Sequence, residues 1–314
     1  MKVKKHLITI IIPAYNAAGF ILNALNSIAS QITPPDYEIL IIDDHSTDNT
    51  LDIVNTYAKN HPEIKVLSNT RTKGVAGARN TGFENAQGVW ITFLDSDDTW
   101  EPDNLSSFYE AILNYPESDI FISDRYETIA PQEKKLLTET DPVWHKYFIS
   151  ANKKQSYLRL ENPADIFFEE GVLMRTGICM IRRKLIEEIG YCDEELKAAV
   201  DMSWFFILAA NVDHMIYIPK PLMNYYHRVG SLTHTIPFGF FGVPAYKKLL
   251  KHPDLHTYRQ SIRKQIALWS LDKTYYYRKN NKKIKAIISA FESVWYEGKN
   301  KEYWKHLIAS ILLR

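Results

Sequence analysis

The chain has 314 residues, of which 46% are hydrophobic and 24% charged, so its composition excludes intrinsic disorder, a collagen-like repeat and a disulfide scaffold. Its apolar stretches fall far short of the roughly 20 residues that a membrane-spanning helix needs. Its two cysteines, Cys179 and Cys192, lack the spacing of a metal or redox motif, which predicts free thiols in a reducing cytoplasm.

Charge is unevenly distributed along the chain. The net charge is +1, but Ala245 to Arg314 contains 16 Lys and Arg against 5 Asp and Glu, an excess of 11. Such a basic region favours an anionic partner, either nucleic acid or a membrane surface, unless it is only the solvated face of helices. No nucleic-acid-binding module is recognisable, so we expect no nucleic-acid partner.

The first part of the chain alternates strand-like and helix-like segments. Short apolar runs rich in β-branched residues predict strands at Ile8–Ile12, Glu38–Ile42, Ile64–Leu67 and Val89–Leu94. Between them apolar residues recur at helical spacing, and Ser46-Thr47-Asp48 is typical of a helix cap. This order predicts an α/β fold with a doubly wound, mostly parallel sheet and helices on both faces.

The rest of the chain has a less regular pattern. Ile129 to Asn162 is rich in Pro, Lys, Glu and Thr, which predicts a long excursion or mobile loop over the sheet. Helices are predicted at Lys184–Ile189, ended by Gly190, and at Asp201–Ala210. After Pro237 the pattern is helical without a strand signal, so we expect a mostly helical C-terminal extension.

Polar clusters follow the predicted strands. They are Pro13-Ala14-Tyr15-Asn16, Asp43-Asp44-His45-Ser46, the segment from Gly74 to Asn80, and Asp95-Ser96-Asp97-Asp98. Because ligands bind beyond the carboxyl ends of strands in an open parallel sheet, these clusters predict one crevice. Tyr15 can stack on a base, Asp44 can accept from a base N–H, and Arg79 can contact ribose or phosphate. The Asp-x-Asp pair can hold a divalent cation beside a diphosphate, although each cluster alone also fits a surface turn or a helix cap.

Taken together and in order, these residues resemble the nucleotide-binding half of the family 2 glycosyltransferases, which have the GT-A fold. The resemblance rests on Ile12-Pro13-Ala14-Tyr15-Asn16, Ile42-Asp43-Asp44-His45-Ser46-Thr47-Asp48, Gly74-x-x-Gly77-x-Arg79-Asn80-x-Gly82 and Phe93-Leu94-Asp95-Ser96-Asp97-Asp98. A second block, from Arg182 to Asp201, resembles the acceptor-side segment of the same family. The resemblance implies inverting transfer from a nucleotide-diphosphate sugar with Mn²⁺ or Mg²⁺.

The resemblance also implies roles for individual residues. The implied donor-binding residues are Pro13, Tyr15, Asn16, Asp43, Asp44, Arg79, Asp95, Ser96 and Asp97. Among them, Asp95 would reach the ribose side and Asp97 would bind the metal. His45 stands where the family usually carries Gly, which predicts a differently shaped turn near the base pocket.

The catalytic base is implied by the second block. Family members place it in a Glu-Asp pair at a helix start, and here the pair reads Val200-Asp201. Asp201 is therefore the implied base, whereas an Asp that caps the helix at Met202 is the competing interpretation. The segment from Tyr225 to Ser231 resembles one that closes over the diphosphate. There His227 would be a third metal ligand and Arg228 a phosphate contact, unless His227 is only a structural hydrogen bonder.

Two other functions remain open. Asp95-Ser96-Asp97-Asp98-Thr99 also fits the nucleophile loop of haloacid-dehalogenase-type phosphatases, but that loop follows the first strand of its domain, whereas three βα units precede it here. Alternatively, the chain is a non-catalytic module that binds a sugar nucleotide, for which the departure at Val200-Asp201 is the only support.

The sequence as a whole predicts a cytoplasmic glycosyltransferase that adds one sugar, from a UDP-sugar, to a growing surface glycan such as lipopolysaccharide or capsule. We expect a nucleotide-sugar-binding half at 1–125, an acceptor-binding half at 126–240 and a basic helical region at 241–314. In the last helix Trp304, Leu307, Ile308 and Ile311 fall on one face, which favours peripheral contact with the anionic inner face of the membrane. Packing within the protein, or a homodimer through this region, is the alternative.

Overall fold

A computed structural model describes residues 7–130, 133–171, 173–227 and 237–312. The described residues form two compact units. The first comprises 7–194 and Trp204–His227, and the second comprises Glu195–Ser203 and the residues from 237 onward.

The first unit is built on a mixed sheet. Its strands are β1 Ile8–Ala14, β2 Tyr37–Asp43, β3 Ile64–Ser68, β4 Trp90–Phe93, β5 Thr99–Trp100, β6 Ile120–Ala130, β7 Glu133–Leu136, β8 Leu158–Glu161, β9 Cys179–Arg182 and β10 His214–Tyr226. The order is β3-β2-β1-β4-β9-β6-β10-β5, with β7 beside β6 and β8 beside β10. The ladders from β3 through β4 are parallel, as is β6 with β10, whereas β9 runs antiparallel to both of its neighbours.

Helices connect and cover these strands. They are α1 Ile21–Ala29, α2 Thr50–Ala58, α3 Val75–Asn85, α4 Asn104–Asn114, α5 Leu137–Thr140, α6 Pro142–Lys154, α7 Pro163–Glu169, α8 Arg183–Ile189 and α9 Val200–Ala210. The four strands predicted in the first part of the chain are confirmed, as are the helices α8 and α9. Strand β1 shows why the apolar runs were informative: Ile10, Ile11 and Ile12 are fully buried because parallel neighbours flank the strand and helices cover it.

The excursion predicted for Ile129 to Asn162 is wrong, because strands and helices run through most of that segment. Local chemistry starts helix α6: Pro142 occupies its first turn, and the carboxylate of Asp141 accepts hydrogen bonds from the N–H groups of Val143 and Trp144. The helix buries Trp144, Phe148 and Ala151. These residues have the helical spacing i, i+4 and i+7, but the many polar residues between them make the pattern hard to recognise in the sequence.

The helix cap predicted at Ser46-Thr47-Asp48 is also displaced. Helix α2 begins at Thr50, and Asp48 Oδ1 accepts from the Thr50 N–H at 3.0 Å and from its hydroxyl at 2.5 Å. Ser46 and Thr47 instead bind the loop that follows β1. These two residues therefore join strand ends, and they do not cap the helix.

The second unit is helical from residue 237 on, as predicted. It contains α10 Gly239–Leu249, a 3₁₀ segment Pro253–Tyr258, α11 Arg259–Lys279, α12 Lys283–Tyr296 and α13 Lys301–Leu312. A small core joins α11, α12 and α13 through Ala267, Ala290, Val294, Tyr303 and Leu307. Leu307 is therefore buried, and its predicted place on an exposed anchor face is wrong. No helix among the described residues is long and apolar enough to cross a membrane.

Candidate functional site

The loops that follow β1 and β2 are tied together at the end of the sheet. The Asn16 N–H donates to Ser46 Oγ at 3.1 Å, and Asn16 Oδ1 accepts from the Thr47 N–H at 2.8 Å. Both turns use left-handed backbone, with φ of +49° at Asn16 and +62° at His45. His45 therefore adopts the left-handed conformation that glycine adopts most readily, and a glycine at this position could form the same turn.

Tyr15 and Asp43 lie on either side of this junction. The Tyr15 ring is half exposed, and Lys73 Nζ lies 4.5 Å from its centroid. Asp43 is buried and its carboxylate accepts from the Ser46 N–H at 3.3 Å. Pro13, half buried, pairs with Ile42 in the β1–β2 ladder. An exposed ring next to a fixed carboxylate can stack on a flat heterocycle and leave its edge to polar contacts.

Asp44 connects the second strand to the segment before α3. Its Oδ1 accepts from Asn69 Nδ2 at 2.6 Å, and its Oδ2 accepts from the Gly74 N–H at 2.8 Å. Because each carboxylate oxygen has two lone pairs, Asp44 keeps acceptor capacity for a further N–H. Asp44 is only 6% exposed, so its orientation is fixed before any ligand arrives.

The glycines of the Gly-x-x-Gly segment are needed for this geometry. Gly74 has a φ of +130°, which a residue with a side chain rarely adopts. A Cβ built on Gly77 would lie 1.9 Å from the carbonyl oxygen of Thr72. The segment can fold back on the start of α3 only because both positions lack a side chain.

Arg79 and Asp95 meet between α3 and the loop after β4. Arg79 is 5% exposed, and its Nη2 donates to Asp95 Oδ1 at 3.3 Å. The Thr176 hydroxyl donates to Asp95 Oδ2 at 3.2 Å. The turn through Ser96 and Asp97 is closed by a hydrogen bond from the Asp98 N–H to the Asp95 carbonyl at 3.0 Å. Arg79 and the Asp-x-Asp loop, both predicted as site residues, therefore belong to one cluster.

Asp98, which the sequence analysis placed in this cluster without a role, adds a carboxylate to the loop. It is 2% exposed, and its Oδ1 accepts from the Tyr226 N–H at 3.1 Å. Burial, with the charges of Asp95 and Asp97 nearby, raises the pKa of Asp98 well above its usual range, and Arg125 partly opposes this. Three carboxyl groups thus crowd one turn.

His227 lies in a polar network with Glu127 and Arg125. Its Nε2 is 2.6 Å from Glu127 Oε2, and Arg125 donates from Nε to Glu127 Oε1 at 2.8 Å. A pocket of about 420 Å³ is lined by Arg125, Glu127, Leu137, Thr140, Asp141, Pro142, Arg175 and His227. Arg228, the predicted phosphate contact, lies outside the described residues.

The predicted metal ligands are only partly gathered. Asp95 and Asp97 share one turn, but within the described ranges no group of three or more His, Cys, Asp or Glu side chains is placed to hold a metal ion. Within those ranges His227 is not grouped with Asp95 and Asp97 as a three-ligand set, and its Nε2 contacts Glu127. Two aspartates can still provide the oxygen ligands that Mg²⁺ and Mn²⁺ prefer, with further oxygens from a bound diphosphate.

Sequence reasoning missed a tie between α3 and the segment after α8. Asn80 Nδ2 donates to Glu194 Oε1 at 2.7 Å, and the Thr72 N–H donates to Glu194 Oε2 at 3.1 Å. Arg71 also pairs with Glu194. Burial alone would raise the pKa of Glu194, but the hydrogen bonds from Asn80, Arg71 and Thr72 lower it to about 2. Asn80 and Glu194 both lie in the segments that carry the family resemblance, and this was the feature of the sequence that could have indicated their importance.

Asp201 lies in the first turn of α9, in the second unit. It is half buried, and its Oδ1 accepts from the Met202 N–H at 2.9 Å. The contact is made at Met202, as the competing interpretation expects, although Asp201 lies inside α9 and does not precede it as a cap would. The contact occupies one carboxylate oxygen, and the other retains lone pairs that can accept a proton.

Comparisons with known proteins agree with this architecture. Residues 9–190 match the family model described as Glycosyl transferase family 2. An Escherichia coli protein named UDP-Glc:alpha-D-GlcNAc-diphosphoundecaprenol beta-1,3-glucosyltransferase WfgD is 40% identical over 124 residues, 40% of this chain and 47% of that protein. The chain spans less than half the length of the first curated relatives that it matches.

Two solved structures share the fold. TarS 1–349 of S. aureus, in complex with UDP-GlcNAc, superposes with a TM-score of 0.65 at 21% identity over 92% of this chain and 81% of that one. The mannosyltransferase PcManGT of Pyrobaculum calidifontis, in complex with GDP-Man and Mn²⁺, gives 0.57 at 18% identity over 99% of this chain and 87% of that one. The expected GT-A architecture with a helical C-terminal region is confirmed.

Proposed function

The chain belongs to glycosyl transferase family 2, and from that premise we propose that it is a metal-dependent inverting glycosyltransferase. It transfers a sugar from a nucleotide-diphosphate sugar, which we take to be a UDP-sugar, to a hydroxyl of a growing surface glycan such as lipopolysaccharide or capsule. One observation supports the proposal most directly: the ion pair between Arg79 and Asp95 joins α3 to the Asp-x-Asp loop, so the arginine proposed for the nucleotide lies beside the turn proposed for the metal.

The donor binds at the strand ends of the first unit. Tyr15 stacks on the base, and Asp44, held by Asn69 and Gly74, accepts from the base edge. Arg79 contacts the ribose or a phosphate oxygen as a charge-assisted donor. Pro13, Asn16, Asp43 and Ser96 complete the donor-binding set because they shape the turns that present these groups.

The carboxylates of the Asp-x-Asp loop fit a divalent cation by their chemistry. Asp97, with Asp95, would hold Mn²⁺ or Mg²⁺. The pKa of Asp98 is raised first by burial and then by the charges of Asp95 and Asp97, and a bound cation would offset this second, repulsive contribution. When bound, such a cation supplies charge stabilisation to a departing diphosphate. The known Mn²⁺ complex of PcManGT supports a metal in this fold.

Inversion in a single displacement needs a base for the acceptor hydroxyl. Asp201 takes the hydroxyl proton while the hydroxyl oxygen bonds to the anomeric carbon and the bond from that carbon to the diphosphate oxygen breaks. Asp201 lies in the first turn of α9, where the partial positive charge of the helix N-terminus attracts a carboxylate.

The acceptor is a glycan or a lipid-linked glycan. Support comes from WfgD, whose name specifies a diphosphoundecaprenol-linked acceptor. We therefore place the reaction in the cytoplasm, at the inner face of the cell membrane, where such an acceptor is exposed.

Thermal unfolding with a panel of nucleotide sugars, with and without Mn²⁺, tests the proposal. A ligand at 100 times its Kd adds about 2.7 kcal/mol of stability, so a cognate donor gives a clear rise in Tm. Tyr15→Ala should reduce that rise, whereas Phe20→Ala, another exposed aromatic residue on the same loop, should leave it unchanged. The proposal fails if no nucleotide sugar shifts the Tm in the presence of metal.

A further inference from the structure

Helix α12 is apolar on two faces. Ala286, Ala290 and Val294 point into the core of the second unit. Four large apolar side chains lie on the opposite side and are mostly exposed, namely Ile284 (74%), Ile288 (63%), Phe291 (54%) and Trp295 (67%). Their spacing of i, i+4, i+7 and i+11 places them along one stripe of the helix. We call this set the α12 stripe.

The next helix also carries exposed apolar residues. On α13, Tyr303 and Leu307 are buried, whereas Trp304, Ile308, Ile311 and Leu312 are about half exposed or more. Trp304 Nε1 already donates to the Gly298 carbonyl at 2.9 Å, so its single polar group is satisfied within the protein. Single exposed apolar residues are ordinary, but eight on two successive helices mark a contact surface.

Positive charge lies at the beginning of the α12 stripe. From Arg278 to Lys285 five of eight residues are basic and none is acidic. Lys279, Lys282, Lys283 and Lys285 are exposed, and Ile284 lies among them. Glu292, the acidic residue within α12, pairs with Lys247 and Lys273.

We propose that the α12 stripe and its lysine cluster dock on an anionic phospholipid surface, with the exposed residues of α13 as a second contact. Exposed Ile, Phe and Trp beside lysines are the chemistry of an interfacial helix, in which the apolar side chains enter the headgroup region and the lysines meet anionic headgroups. A second copy of the chain is a poorer occupant, since it would bring together two regions that each carry an excess of 11 positive charges. The docking deepens the location given in the proposed function and rests on it only for its biological purpose.

Vesicle co-sedimentation of the full chain, without any donor, tests this surface. We expect binding to vesicles of phosphatidylglycerol and phosphatidylcholine in equal parts to exceed binding to phosphatidylcholine alone by about tenfold or more. Raising NaCl from about 0.1 M to about 0.5 M should weaken it strongly, because the Debye length becomes short.

Two pairs of variants separate the apolar and the charged contributions. Ile288→Ser with Trp295→Ser should lower vesicle binding by about tenfold or more, whereas Leu113→Ser, an equally exposed leucine on α4, should not change it. Lys282→Glu with Lys283→Glu should lower vesicle binding and make the remaining binding less sensitive to salt. Lys184→Glu on α8 is the control and should change neither. Each variant must keep the Tm of the parent, which excludes misfolding as the cause.

Three results would overturn the proposal. The first is equal binding to both kinds of vesicle, and the second is unreduced binding by the variant with Ile288→Ser and Trp295→Ser. The third is the absence of vesicle binding together with concentration-dependent dimers that this variant no longer forms. The last result would assign the surface to a second copy. Because no donor is present, none of these results bears on the transferase proposal, which is tested by nucleotide binding and turnover.

Discussion

Asn80 and Cys192 form a reciprocal pair of hydrogen bonds: Asn80 Nδ2 donates to the Cys192 carbonyl and Asn80 Oδ1 accepts from the Cys192 N–H, both at 2.9 Å. Asn80 is fully buried in α3, one residue after Arg79. The side-chain amide of Asn80 bonds the backbone of Cys192 as a neighbouring strand would. It thereby provides hydrogen-bond partners for backbone groups of a buried loop. The helix that presents Arg79 is thereby fixed to the segment after α8.

Asn80→Ala should therefore be strongly destabilising. It leaves the Cys192 N–H and carbonyl without their partner, at a cost of about 1–3 kcal/mol for each unsatisfied buried group. Urea unfolding measures the loss. Asn60→Ala, at an exposed asparagine after α2, is the control and should change stability by less than about 0.5 kcal/mol. Equal effects of the two substitutions would show that the Cys192 pair contributes nothing.

Glu194 predicts a specific pH dependence of stability. Its pKa is about 2 in the folded protein against an ordinary value of 4.5. A lowered pKa stabilises the folded state above the ordinary value, and this contribution is lost as the pH falls from about 4.5 to about 2. The free energy of unfolding of Glu194→Gln should be lower than that of the parent by about 2 kcal/mol at pH 7, a figure reduced for the partial exposure of Arg71.

The difference between parent and Glu194→Gln should shrink steadily as the pH is lowered towards 2. Glu188→Gln, at an exposed position of α8, is the control and should show a small, nearly constant difference. A parent–variant difference for Glu194 that does not change with pH would contradict the charge-based origin of its contribution.

Gly77 should tolerate no side chain. Gly77→Ala places a Cβ 1.9 Å from the Thr72 carbonyl oxygen, which is backbone and cannot rotate away, so we expect a loss of about 2–3 kcal/mol and weaker nucleotide binding. Gly19→Ala is the matched control, because nothing lies within 4 Å of its added Cβ. Calorimetry of both variants measures the difference in Tm. Similar Tm values would contradict the prediction, because they would mean that the segment from Thr72 to Gly77 moves to accommodate the added Cβ without a loss of stability.

Asp201→Asn tests the proposed base. Loss of a general base typically lowers kcat by about 10²–10⁴-fold and leaves donor affinity nearly unchanged, since the base acts on the acceptor proton in the transition state. Donor titration and turnover, measured on the same preparation, separate the two effects. Unchanged turnover would assign Asp201 to capping at Met202 and make Asp193 the next candidate.

The parallel half of the fold could be predicted because its strands are buried on both sides. Runs such as Ile8 to Ile12 are short and rich in β-branched residues, which favours a strand over a buried helix, and the polar clusters after them follow from the direction of a parallel sheet. Helix α6 could not be predicted, because its buried residues, Trp144, Phe148 and Ala151, stand among many polar ones. A short apolar spacing in a polar context is a weak signal.

The candidate site shows a similar division. Arg79 and Asp95 could be expected to meet, since both follow strand ends of one sheet. Glu194 and Asn80 could not, because their contact joins positions 114 residues apart and depends on the path of the chain after β9. The fate of Leu307 also depended on tertiary packing, because both faces of α13 carry apolar residues.

The measurement that tests the central claim most directly is release of nucleoside diphosphate from a sugar nucleotide by the parent protein and by Asp97→Asn, each with Mn²⁺ and with a chelator. We predict metal-dependent release by the parent, and no release by Asp97→Asn at an unchanged Tm, because the carboxylate at this turn is what positions the cation for the diphosphate. Asp103→Asn is the control and should behave as the parent. Asp103 directly precedes α4, and its carboxylate pairs with Lys220. Parent-like release by Asp97→Asn in chelator would contradict the account.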